Sequence, residues 1–63
     1  MTDIATHKAR VDEAQSLREL AAVEADVLAV ANVEHWTKAM RLDFEDHRYA
    51  RAMELADKIR RAG

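Results

Sequence analysis

The sequence predicts an all-α protein, a helical hairpin of one long and one shorter helix that assembles into an oligomeric helix bundle. Three observations carry this prediction. The chain has no proline, and its one glycine is Gly63, so nothing in residues 1–62 is a strong helix breaker. Its apolar residues recur at steps of three and four, which is the helical period. Finally, residues 20–33 are apolar on most of the helix circumference, interrupted only by Glu24, Asp26 and Asn32; such a helix wants neighbours on more than one side. A chain of 63 residues buries only about 60% of its unfolded surface, so a supplement to the core is expected. With no cysteine, disulfides and thiolate metal sites drop out and self-association is left.

The elements follow in order. Thr2 or Asp3 is a suitable N-cap, and Ile4, Val11, Ala14, Leu17, Leu20 and Val23 continue as an apolar row. From Val11 to Met40 the row averages about 3.2 residues per step, short of the 3.5 to 3.6 of a straight seam. It winds around the axis, so either different neighbours cross the helix or the chain breaks. Three breaks are available. Ser16-Leu17-Arg18-Glu19 matches a capping box, Asn32 can end a helix in the left-handed conformation, and Leu42–Asp46 places three acids after Lys38 and Arg41. The charge arrangement favours the third. The predicted layout is a helix over 3–41, a turn near 42–45 and a helix to 62, forming an antiparallel four-helix dimer; equal arms hinged at Asn32 are the alternative. In the last helix Tyr49, Ala52, Met53, Ala56 and Ile59 share a face, and Glu54 with Lys58 and Asp57 with Arg61 stand at favourable i,i+4 spacing. Residues 1–63 read as one domain.

Composition narrows the function classes. Hydrophobic residues make up 49% and charged residues 35%, a profile of helical proteins and coiled coils rather than disordered chains. The first residues carry Asp3, His7, Lys8 and Arg10 without an apolar core, so no signal peptide is expected. No stretch of about 20 apolar residues exists to span a membrane, and a cytoplasmic location is expected. The net charge of −2 argues against a general polyanion binder. Residues 1–46 nevertheless hold ten acids and five Lys/Arg, and residues 47–63 two acids and five bases.

The chemistry-bearing residues are sparse. His7, His35 and His47 include no His-x-x-x-His or Glu-x-x-His pair of the kind helical metal sites use; Asp43 with His47 is the nearest approach, and an ion pair explains its spacing equally well. No catalytic, cofactor or metal residue is therefore assigned, and no enzyme activity is expected: a short helical chain without internal glycine has little loop from which to build a pocket. The expected interface is Leu20, Val23, Val27, Leu28, Val30, Val33, Trp36 and Met40, with Trp36 as the large aromatic anchor. The functional expectation is a small interaction or structural module that joins copies of itself or docks on a larger protein. The alternative is an oligomeric nucleic-acid-binding regulator using Arg48, Arg51, Lys58, Arg60 and Arg61, although Glu54 and Asp57 interrupt that surface.

Overall fold

A computed structural model describes residues 3–62 and shows three helices in place of the predicted two: α1 (Ile4–Glu13), α2 (Leu17–Glu34) and α3 (Lys38–Ala62). The chain is all-helical, but the hairpin layout needs correcting, because both breaks fall elsewhere. Residues 42–45, expected to turn, lie inside α3, and Asn32 is helical within α2.

Local chemistry explains the observed breaks. Asp3 caps α1 by accepting from the Ala5 N–H at 3.3 Å; Thr2, the other candidate cap, lies outside the described residues. Ser16 is extended and its Oγ accepts from the Glu19 N–H at 3.1 Å, while Glu19 Oε2 reaches back to the Gln15 N–H at 2.6 Å. This is capping-box chemistry, with the glutamate bonding one residue before the cap. Helix α2 ends on His35 in the left-handed region (φ 55°, ψ 53°), where the Trp36 N–H folds back onto the Ala31 carbonyl at 3.0 Å. Thr37 then opens α3, its Oγ1 accepting from the Met40 N–H at 3.2 Å.

The pairings give the topology. Lys8 meets Asp43 at 2.8 Å and Asp12 meets His47 at 2.8 Å, so α1 runs parallel to α3. Glu24 pairs with Arg48 and Ala31 with Arg41, so α2 runs antiparallel to α3. The winding apolar row is thus divided among packed helices. Val11, Ala14, Leu20, Val23, Val27, Ala31, Trp36, Phe44 and Leu55 form one core, with Ile4, Val30, Met40 and Ala52 packed partly buried against it. At 1.5 Å per residue α3 is about 37 Å long, which accounts for most of the 41 Å long dimension. Leu55 is its last buried residue, and residues 58–62 are exposed.

Candidate functional site

The inner face of α3 is built from arginines as much as from apolar side chains. Each of three arginines answers a need that its neighbours create. Arg51 Nη2 donates at 2.7 Å to the Ala14 carbonyl, just past the last turn of α1. Arg41 Nη2 donates to the Ala31 carbonyl at 3.4 Å and to Asn32 Oδ1 at 3.2 Å near the end of α2. Both place a cation at the negative end of a helix dipole, which favours one. Between them Arg48 lies 2.5 Å from Glu24 and donates two hydrogen bonds to Glu45, at 3.0 and 3.1 Å. Donating to Glu45 raises the Arg48 pKa above its ordinary value against the opposing effect of burial, and the charges of Glu45 and Glu24 add to the rise.

These residues place the expected nucleic-acid contacts in a different light. Arg48 and Arg51 face inward into the contacts above, with Arg51 also on Glu54 at 3.1 Å, and Arg61 pairs with Asp57 at 3.1 Å. Lys58 and Arg60 remain as exposed cations on the overhanging end of α3. The Asp57–Arg61 pair has the predicted spacing, whereas Glu54 bonds Arg51 rather than Lys58.

The eight residues expected at an interface divide similarly. Leu20, Val23, Val27 and Trp36 are buried within the chain's own core, and Val30 and Met40 pack against it. The break at residues 14–16 frees α1 to cover a surface that a two-helix hairpin leaves open. Only Leu28 (42% exposed) and Val33 (78%) stay in solvent, and at about 100° per residue they lie about 140° apart, on different sides of α2.

A groove of about 340 Å³ opens between α2 and α3, with Val27, Leu28, Ala31 and Trp36 as its apolar walls and Glu24, Arg41 and Glu45 as polar lining. Trp36 is 7% exposed, and its indole N–H has no acceptor; one oxygen of Glu45 is likewise buried without a donor. Behind Trp36 the ring of His7, 3% exposed, lies 5.6 Å away at 55°, with neither nitrogen hydrogen-bonded. His47 is bonded to Asp12, and His35 is exposed at the end of α2. Among the described residues no group of three His, Cys, Asp or Glu converges as a metal site would require. The groove is a mainly apolar recess.

A second surface lies on the far side of α3. Leu42, Tyr49 and Met53 are 53–61% exposed. At about 100° per residue they fall within an arc of about 40°, centred about 150° round the helix from Phe44 and Leu55. Tyr49 and Met53, which share an apolar face with Ala52, Ala56 and Ile59 in the sequence, are turned outward, and Phe44 and Leu55 pack into the core instead. Their spacing of seven and four residues was the available signal for a second stripe. No protein-family model, curated protein or solved structure matches this chain.

Proposed function

We propose that the chain is a non-enzymatic helical interaction module that associates with protein through apolar surface left outside its core, in the first instance with copies of itself. The observation that supports this is the residue of packing: with the core closed, Leu17, Leu28, Val33, Leu42, Tyr49, Met53 and Ile59 are still 41–78% exposed. Single exposed hydrophobics are ordinary, but a set this dense on so short a chain, partly collected into one line on α3, is the mark of a contact surface. The small core adds a thermodynamic motive, since below about 70–80 residues a single core rarely supplies more than about 3–5 kcal/mol. Among the described residues no helix is long and apolar enough to cross a membrane, and a reducing compartment such as the cytoplasm suits a chain without cysteine.

Sedimentation equilibrium over a dilution series, with and without a short nucleic-acid duplex, tests the reading. Reversible self-association that ignores the duplex is the expected result. A dilution-resistant monomer whose mass shifts only on adding duplex, in a salt-sensitive way, overturns it in favour of the nucleic-acid regulator.

A further inference from the structure

We infer that the outer stripe of α3 is the seam of an antiparallel, two-fold symmetric dimer, in which α3 of one chain packs against α3 of a second copy. This rests on the interaction-module reading and makes it specific.

The seam is a heptad pattern. Leu42, Asp46, Tyr49, Met53, Ala56 and Arg60 follow one another at steps of four, three, four, three and four, the repeat that keeps one side of a helix against a single partner helix. All six lie within an arc of about 80° on the side of α3 away from the core. Phe44 and Leu55 occupy the other side and already hold α1 and α2, so a second α3 can approach without displacing either helix.

Charge decides orientation and occupant. Asp46 and Arg60 sit in the seam, and neither has an ion-pair partner within the chain among the described residues. A parallel, in-register pair sets Asp46 against Asp46 and Arg60 against Arg60. The antiparallel register that centres the two-fold on residue 51 behaves differently. It packs Tyr49 of one copy with Met53 of the other in the two central layers. Asp46 comes level with Ala56 of the second copy, one turn from its Arg60 and within reach of that long side chain. Like charges are separated, opposite charges approach twice by symmetry, and the largest apolar side chains meet in the middle. A second copy of this chain supplies that complement without further assumption.

The test uses the full chain. Met53→Glu is expected to abolish dimer sedimentation while leaving the helical circular dichroism of dilute protein unchanged, because residue 53 lies outside the core. Asp46→Arg alone and Arg60→Asp alone are expected to weaken the dimer about tenfold or more, corresponding to 1.4 kcal/mol, and the double swap to restore it. Orientation is read by oxidation of single cysteines in this cysteine-free chain. Ala50→Cys, beside the two-fold, is expected to cross-link, and Ala39→Cys is not; the reverse result overturns the antiparallel seam. Self-association that survives Met53→Glu but is dissolved by Leu28→Glu overturns the α3 seam and leaves the module reading standing. A monomer at every concentration overturns the seam and self-association together.

Discussion

Helices α2 and α3 both carry a regularly spaced apolar row, yet α2 turns its row inward and α3 turns its row out. The inward row of α2 is aliphatic throughout: Leu20, Val23, Val27 and Ala31. The inward face of α3 instead interleaves Phe44 and Leu55 with Arg41, Arg48 and Arg51. The difference comes from what each helix meets. Helix α3 lies alongside the ends of α1 and α2, where Arg51 donates to the Ala14 carbonyl and Arg41 adds a donor to the Ala31 carbonyl that already takes the Trp36 N–H, and alongside Glu24, an acid on the adjoining helix. Arginine satisfies these groups with its guanidinium while its methylene stem covers apolar surface. The inward face of a helix need not be its most apolar face when its neighbours present acceptors.

Substitutions can break this contrast, and the largest effect is expected in the core. Phe44→Ala should cost about 3–5 kcal/mol, most of what so small a core supplies, and show as loss of helical circular dichroism. Met53→Ala, measured in protein dilute enough to be monomeric, should stay within about 0.5 kcal/mol; equal losses at the two positions would mean that the faces of α3 are assigned wrongly. Next comes Arg51→Met, which keeps the stem but orphans the Ala14 carbonyl. A loss of about 1–3 kcal/mol is expected in urea unfolding, and an unchanged midpoint would show that α1 does not depend on this arginine. Ser16→Ala should cost about 1 kcal/mol by removing the α2 cap; no loss would return the Ser16 break to chance. The smallest effect is a gain. Left-handed geometry costs a residue with a side chain about 1–2 kcal/mol, and glycine loses about 0.5–1 kcal/mol of that in backbone entropy. His35→Gly should therefore stabilise by about 0.5 kcal/mol, and a decrease in melting temperature would contradict the cap geometry.

Helical content was legible in the sequence; Leu20, Val23 and Val27 were legible as packing residues but assigned to an interface rather than to the chain's own core, and the Ser16–Glu19 box was visible as a break but not the favoured one. The winding of the Val11–Met40 row was also legible as a sign that one straight helix does not suffice. Where the chain breaks was harder to read, because His35 ends α2 in a conformation for which its residue type is only a weak signal. The acid cluster at 43–46 also mimics a helix start. Instead Asp43 bonds Lys8 of α1, and Glu45 bonds Arg48 one turn on in the same helix. The roles of Arg41, Arg48 and Arg51 were beyond periodicity altogether. A wheel registers charge as an outward preference, and only the docking of α3 across two helix ends creates the acceptors that draw those side chains in.

The single tryptophan has a practical consequence. Trp36 is packed between His7 of α1 and the groove shared by α2 and α3, and it lies off the outer line of α3. Its emission therefore serves as a built-in gauge of tertiary order: unfolding exposes the indole, whereas the proposed joining of two folded copies along the outer line of α3 would leave its surroundings alone. Fluorescence and sedimentation followed on the same sample thereby separate the energetics of folding from those of association, with no label added to the chain.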